Sequence, residues 1–150
     1  IISMRIGFAE TVVSHLSTKL LAFFFIVVMG ADVGGYYVGK NLGKHKLVPK
    51  ISPNKTWEGV FGGLVLSAGF AAISTATFFP ELPYKFSIPL ALVMCVVGLF
   101  GDLAESAMKR GSKTKDAANI LPGHGGILDR LDSLTYTAPL FFHFVYYLHY

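Results

Sequence analysis

Long apolar stretches alternate with short polar, basic stretches along the chain. A helix needs about 20 mainly apolar residues to span a bilayer, and four stretches approach that length, at about 19–38, 57–79, 86–108 and 134–150. None shows the alternation of polar and apolar residues that is typical of a β-barrel strand. Four such stretches are too many for the core helices of a soluble chain of 150 residues. The pattern therefore predicts an all-α, polytopic integral membrane helical bundle of about four transmembrane helices, with a membrane-embedded domain over residues 19–150.

The first 18 residues are more polar than the stretches that follow. They carry Arg5, Glu10 and His15, which favours a partial or interfacial helix over residues 1–18. The chain begins with Ile1, and these residues do not resemble a signal peptide, so we interpret the sequence as a fragment that lacks an N-terminal part. Composition agrees with a membrane protein, because only 15% of the residues are charged, against about 25% in soluble proteins.

Basic residues are concentrated in two stretches, 40–55 and 109–130, which hold ten of the 13 Lys and Arg residues. The first joins the first two predicted spans and the second joins the last two, so span counting places both on one side of the membrane. The positive-inside rule makes that side cytoplasmic. The rule alone can explain the first stretch; binding of lipid headgroups or nucleotide phosphates is the alternative.

Two aspartates lie within the apolar stretches. A charged side chain in a membrane span is costly and usually faces a polar cavity or a partner. Asp32 could form a structural pair with a lysine of another helix, and its role is left open. Asp102 begins a polar stripe with Glu105, Ser106 and Lys109 at helical spacing, which predicts that this stripe lines a water-filled site. Glycines recur in the same stretches and are expected to let helices approach closely; they are Gly34, Gly35, Gly39, Gly62, Gly63, Gly69 and Gly98.

The segment from Lys109 to Asp132 combines basic residues, glycines and spaced aspartates. Glycines expose backbone N–H groups to a phosphate, basic side chains neutralise it, and carboxylates hold Mg²⁺. Together these residue types favour phosphoryl or nucleotidyl transfer. Simpler interpretations exist for single members: Lys113 as a solvated charge, His124 as a turn residue, and Asp132 or Ser133 as a helix cap.

Other chemistries find little support in the sequence. It contains no zinc-type Cys/His spacing, no G-x-x-x-x-G-K-[ST] phosphate loop, no G-x-G-x-x-G and no serine-nucleophile motif. The single cysteine, Cys95, excludes an intrachain disulfide. Nucleic-acid binding is not expected, because the basic groups lie in short connections between apolar stretches.

The stretch "SAMKRGSKTKDAANILPGHGGILDRLD" at 106–132 resembles the signature of the phosphatidate cytidylyltransferases, also called CDP-diacylglycerol synthases. Every fixed position of that signature is matched: Ser106, Lys109, Arg110, Lys115, Asp116, Leu121, Pro122, His124, Gly125, Gly126, Asp129, Arg130 and Asp132. "GDLAES" at 101–106, "KHKLVPKISPNKTWEG" at 44–59 and the preceding "GADVGGYYVGKNLGK" are similar to the same family. The likeness covers roughly residues 28–135. The D-G-x-x-A-R motif of the CDP-alcohol phosphotransferases is absent.

The resemblance implies an integral membrane nucleotidyltransferase of phospholipid biosynthesis, with a cytoplasmic catalytic loop. It would transfer CMP from CTP to phosphatidic acid, giving CDP-diacylglycerol and pyrophosphate, with Mg²⁺ and a second, monovalent cation such as K⁺. It also implies further N-terminal spans, a homodimer, and a place in the inner (cell) membrane, with the active site facing the cytoplasm.

Site residues follow from the resemblance by position. Asp102 and Asp129 are expected to share the metal, with Asp132 as a further ligand, and the remaining catalytic candidates are Lys109, Arg110, Lys115, Asp116, His124 and Arg130. Substrate-binding candidates are Ser52, Asn54, Lys55, Thr56, Ser106, Gly125 and Gly126. Two alternatives stand beside this interpretation. One is an ion or phosphate transporter fragment, although the half-repeats that it predicts are not found. The other is a cytidylyltransferase acting on an archaeal-type ether lipid phosphate.

Overall fold

The computed structural model describes residues 13–111 and 128–148 of the chain. Within them the chain forms helix α1 (Val13–Leu42), strands β1 (Lys46–Val48) and β2 (Ser52–Thr56), and helices α2 (Trp57–Thr77), α3 (Tyr84–Gly111) and α4 (Leu128–Leu148). The predicted all-α membrane fold is confirmed, with one small β-hairpin added to it.

Three of the described helices are long and apolar enough to cross a membrane, over Leu16–Leu42, Trp57–Thr77 and Tyr84–Met108. The fourth predicted span does form a helix, α4, but α4 is not among these three. Its first two turns carry Asp129, Arg130 and Asp132, which shortens the apolar part. Helix α1 begins at Val13, before the predicted start at 19, so the last residues of the predicted segment 1–18 continue directly into it. Residues 1–12 lie outside the described part.

Successive helices run antiparallel. Gly39 of α1 contacts Gly59 of α2, whereas the earlier Gly30 contacts the later Phe70. Thr75 near the end of α2 donates to Ser87 near the start of α3 at 3.0 Å. Gly101 of α3 packs on Tyr136 of α4. Leu90, earlier in α3, lines the same small cavity as Val145, later in α4. The hairpin, the end of α3 and the beginning of α4 therefore lie at the same end of the bundle. We call it the hairpin end.

Helices α1 and α2 cross through glycines. A methyl group at Gly34 would lie 2.6 Å from the carbonyl oxygen of Gly62, and one at Gly62 would lie 2.5 Å from Val38. One at Gly63 would lie 3.0 Å from the carbonyl oxygen of Ala31. The expectation that glycines let these helices approach closely is thus confirmed at the crossing. It is wrong for Gly69, because a methyl group there would meet nothing within 4 Å.

The end opposite the hairpin is filled by aromatic side chains. Phe23, Phe24 and Phe141 are fully buried, and the ring of Phe141 lies 6.1 Å from that of Phe23 and 5.3 Å from that of Phe24. Phe79 closes this cluster against Phe23 at 5.9 Å. Large buried rings contribute most of the packing energy of such a core, so this end fixes how the four described helices sit together.

The first basic stretch, expected to be a loop, folds into the antiparallel hairpin β1–β2. Lys46 pairs with Thr56 and Val48 with Ser52, with an irregularity between the two pairs. The hairpin is closed at its base by Glu58 of α2, whose carboxylate accepts from the backbone N–H of His45 and lies 2.7 Å from its Nδ1. The hairpin consequently holds β2 over the end of the bundle.

Candidate active site

A polar cavity of about 570 Å³ lies at the hairpin end, between α1, α2, α3 and β2. This volume is in the range of small-molecule sites, about 300–1,000 Å³. One wall comes from α1, where Asp32, Tyr36 and Gly39 recur at helical spacing. The facing wall comes from Cys95, Leu99 and Asp102 of α3, spaced in the same way.

Glycines make room for this cavity. Gly35 and Gly39 of α1, Gly43 directly after α1, Gly59 of α2 and Gly98 of α3 all line it. Much of the wall is therefore bare backbone, and α1 and α2 approach so closely that a methyl group at Gly59 would lie 2.8 Å from the carbonyl oxygen of Gly35. A wall without side chains brings backbone groups next to whatever occupies the cavity.

An ion pair between Lys55 and Asp102 lies at the cavity wall. Lys55 belongs to β2 and Asp102 to α3, so the pair joins the hairpin to the third helix. The side chains retain 39% and 24% of their accessible surface, so both groups can be reached from the cavity. Thr56, the next residue, is buried and caps α2 by accepting from the N–H of Gly59 at 3.2 Å. That cap fixes where β2 ends and hence where Lys55 points.

Positive charge gathers at the mouth of the cavity. Lys40 and Lys46 line it together with Lys55, against the carboxylates of Asp32 and Asp102. Outside the wall, the Nε of Arg110 donates to the carbonyl oxygen of Ile51 at 3.2 Å, which ties the end of α3 to the hairpin turn. Lysines on a concave surface raise the local concentration of anions, phosphates among them.

The structure brings together several of the residues that the sequence singles out. Asn54, Lys55, Thr56 and Asp102 all line the cavity. Ser52 lies on β2 and Ser106 on α3, both half-buried and neither in the cavity wall. Of the predicted polar stripe of α3, Asp102 lines the cavity, whereas Glu105 is buried at 4% exposure and does not line it.

The remaining predicted residues fall in or beside the stretch between α3 and α4. Lys115, Asp116, His124, Gly125 and Gly126 lie outside the described residues. Lys109 lies on α3 and Asp129, Arg130 and Asp132 on α4, but their side chains are not described. The backbone of α4 is informative nonetheless. Because α4 runs antiparallel to α3 and Tyr136 packs on Gly101, the first turn of α4 lies at the same end of the bundle as Asp102.

The described residues supply part of a site for a divalent cation. Mg²⁺ takes oxygen ligands, and it often uses one or two carboxylates together with substrate phosphates and water. Asp102 offers such a carboxylate at the wall of a cavity that can admit phosphate. No group of three or more His, Cys, Asp and Glu side chains converges within residues 13–111 and 128–148. The chemistry of Asp102 fits Mg²⁺, and Asp129 and Asp132 stay predicted ligands.

Sequence reasoning missed part of the wall. The sequence leaves the role of Asp32 open, marks Lys40 only as a member of the first basic stretch and does not single out Tyr36, yet all three line the cavity. A signal was present in the sequence: Asp32, Gly35, Gly39 and Gly43 recur every three or four residues, which marks one face of a helix. That face is small and polar where the rest of the span is large and apolar.

Known proteins are similar in sequence to this chain over most of its length. A sequence model of the cytidylyltransferase family matches residues 4–148. The phosphatidate cytidylyltransferase of Bacillus subtilis is 48% identical over 123 residues, covering 82% of this chain and 44% of that protein. The enzyme of the same name from Haemophilus influenzae is 44% identical over 133 residues, covering 86% and 46%.

A protein described as uncharacterized, YnbB of Escherichia coli, is 40% identical over 128 residues, covering 85% of this chain and 43% of YnbB. The chain spans less than half the length of each of these three relatives. The family model nevertheless covers nearly the whole of it, including every element that lines the cavity. On this evidence the chain belongs to the cytidylyltransferase family.

Proposed function

We propose that this chain forms the catalytic part of a phosphatidate cytidylyltransferase, which makes CDP-diacylglycerol and pyrophosphate from CTP and phosphatidic acid. The observation that carries the proposal is the cavity at the hairpin end, where Lys55 of β2 pairs with Asp102 of α3. The two residues come from the two separate sequence motifs that resemble the family. Relatives named for this activity support the choice of substrates.

The reaction is a direct displacement at phosphorus. A phosphate oxygen of phosphatidic acid attacks the α-phosphorus of CTP and forms the new P–O bond. The bond from the α-phosphorus to the bridging oxygen breaks, and pyrophosphate leaves with that electron pair. The nucleophile is already an anion, so the protein need not supply a nucleophile or a strong base.

The main barrier is repulsion between two anionic substrates. Lys40, Lys46 and Lys55 line the cavity and would neutralise phosphate oxygens there. Fixed positive groups that meet developing charge in a site with little water supply a large part of the catalysis in such reactions. The pairing of Lys55 with Asp102 keeps the ammonium group in place before substrate binds, and phosphate would then share it.

Mg²⁺ is proposed as the cofactor, held by Asp102 together with Asp129 and Asp132, and a monovalent cation such as K⁺ as a second. When bound, a divalent cation would draw charge from the phosphate oxygens of CTP. Lys109, Arg110, Lys115, Asp116, His124 and Arg130 are proposed to act in the same site, with Gly125 and Gly126 in its phosphate-facing turn. The positive-inside rule supports a cytoplasmic orientation of the hairpin end. A homodimer in the cell (inner) membrane is likewise part of the proposal.

The test is formation of a CDP-lipid from labelled CTP and phosphatidic acid in detergent, with and without Mg²⁺. We expect Lys55→Gln and Asp102→Asn each to lower kcat/KM by about 100-fold or more, the loss typical of removing one preorganised charged group. Lys85→Gln is the matched control, since Lys85 is exposed at the opposite end of the bundle and the variant should keep full activity.

Two results would contradict the proposal. Absence of any CDP-lipid product from the unaltered protein would reject the reaction, and retention of near-normal activity by Asp102→Asn would reject the metal assignment. An ether lipid phosphate offered in place of phosphatidic acid distinguishes the archaeal-type acceptor, because a strong preference for it would change the lipid and keep the chemistry.

A further inference from the structure

Asp32 is an exposed residue of the cavity wall that lies farther from the hairpin than the lysines at the mouth. A methyl group at Gly63 would lie 3.0 Å from the Ala31 carbonyl and 3.4 Å from the Cys95 sulfur, so residues 31 and 95 lie at the same level of the bundle. Asp102 follows two turns after Cys95 on α3, about 10 Å nearer the hairpin by the helical rise. Lys40 lies about 12 Å beyond Asp32 on α1 by the same rise.

The charge of Asp32 restricts what can lie beside it. A phosphate group is repelled by a carboxylate in a partly enclosed cavity, and the three lysines at the mouth attract it there instead. A group that donates hydrogen bonds is favoured next to Asp32. Phosphatidic acid offers no such donor apart from its phosphate, because its glycerol oxygens are esterified and its chains are apolar. CTP offers the 4-amino group of cytosine and two ribose hydroxyls.

The shape of the cavity agrees with a nucleoside at this level. The distance from Asp102 to Asp32 along the helices is comparable to the length of a nucleoside, measured from its α-phosphate to the far edge of its base. Gly35 of α1 and Gly98 of α3 line the space between the two aspartates. Neither has a side chain to occupy that space, and this favours a flat ring there.

We propose that Asp32 determines the choice of base by accepting a hydrogen bond from the 4-amino group of cytosine. The inference rests on the proposed function and adds to it a specificity-determining residue. Asp and Glu carboxylates accepting from this amino group are a recurrent way for proteins to recognise cytosine by its edge. Uracil carries a carbonyl oxygen at the same position, which would face the carboxylate without a proton between them.

The experiment compares kcat/KM for CTP, for UTP and for the triphosphate of the pyrimidin-2-one riboside, which lacks the 4-amino group. The unaltered protein should prefer CTP to both others by about tenfold or more, as expected for a specific base contact. Asp32→Asn should reduce the preference over UTP by about the same factor, because its amide can donate to the uracil oxygen. Asp32→Glu, which keeps the carboxylate, should retain a preference for CTP.

The losses in kcat/KM caused by removing the 4-amino group and by removing the carboxylate should not be additive. Asp32→Asn should therefore use the pyrimidin-2-one nucleotide about as well as the unaltered protein does, since each change alone already breaks the contact. An equal loss by Asp32→Asn with all three nucleotides would overturn the inference. So would an unchanged ratio of CTP to UTP accompanied by a changed ratio of CTP to dCTP, which would assign Asp32 to the ribose.

Two further measurements distinguish a failure of this inference from a failure of the proposed function. Equilibrium binding of CTP and UTP to Asp32→Asn reports base preference even where turnover is slow, and a preference for CTP equal to that of the unaltered protein rejects the inference. Loss of all CDP-lipid formation by the unaltered protein rejects the proposed function instead. The two failures are therefore distinguishable.

Discussion

Replacement of Gly34 by alanine tests whether the α1–α2 crossing holds the bundle at its present spacing. The added methyl carbon would lie 2.6 Å from the carbonyl oxygen of Gly62, 0.8 Å short of the 3.4 Å at which ordinary contact begins. It would also lie 3.0 Å from the carbonyl carbon of Gly62. Because these neighbours are backbone atoms, no side chain can rotate away and the helices themselves must separate.

Gly69→Ala is the matched control, because it makes the same chemical change in α2 with nothing within 4 Å of the new methyl group. Both replacements gain about 1 kcal/mol of helix propensity. The difference between the two variants therefore isolates the overpacking cost, which is about 1–3 kcal/mol in well-packed proteins. We expect Gly34→Ala to be less stable than Gly69→Ala by that amount.

Thermal unfolding in detergent is the measurement. For a chain of this size the difference corresponds to roughly 2–4 °C for each kcal/mol. Gly34→Ala should also lose activity, since the same displacement moves the glycine-lined cavity wall. Equal unfolding temperatures for the two variants would refute the view that backbone contact sets the helix spacing.

Two further predictions concern the ends of the bundle. Thr56→Val removes the hydroxyl that caps α2 and should lower the stability measured by thermal unfolding by about 1 kcal/mol. Thr77→Val is the control, since the Thr77 hydroxyl only donates to the carbonyl oxygen of Ile73 in its own helix. An equally large loss of stability in Thr77→Val would contradict the capping role of Thr56. The hydrogen bond from Lys19 lowers the pKa of Glu81 below its ordinary 4.5, so the pair should stabilise the protein above pH 4.5 and less as the pH falls below it. Glu81→Gln should accordingly unfold at a slightly lower temperature at pH 7 and at the same temperature as the unaltered protein in strong acid. A difference that persists unchanged in acid would show that ionisation of Glu81 is not its source.

Much of the architecture could be predicted from sequence because lipid imposes a simple rule. Every backbone group within the hydrocarbon must be hydrogen-bonded internally, so long apolar stretches become helices, and their order fixes which connections share an end. The hairpin was not predictable in the same way. Residues 44–56 are basic and polar without a clear alternating pattern, and the strands depend on contacts such as that of Glu58 with His45.

The candidate site was predictable where residue type alone marks it. Asp102 was expected as a metal ligand and Lys55, through the family resemblance, as a substrate-binding residue; the structure places both at one cavity, where they form an ion pair. Asp32 illustrates the limit of that reasoning. An aspartate in a span can face either a cavity or a neighbouring helix. Which of the two it faces depends on the distance between α1 and α3, and that distance depends on how all the helices pack in three dimensions.

The glycine-lined wall of the cavity restricts how mutations can alter the volume of the cavity. Glycine is the smallest residue, so every possible mutation at Gly35, Gly39, Gly59 or Gly98 adds atoms to the space between the helices. The chamber can shrink by single substitutions, but at these positions it cannot grow. Descendants of this sequence that accept a bulkier nucleotide would therefore have to shorten another lining side chain, such as Tyr36 or Leu99, or move the helices apart.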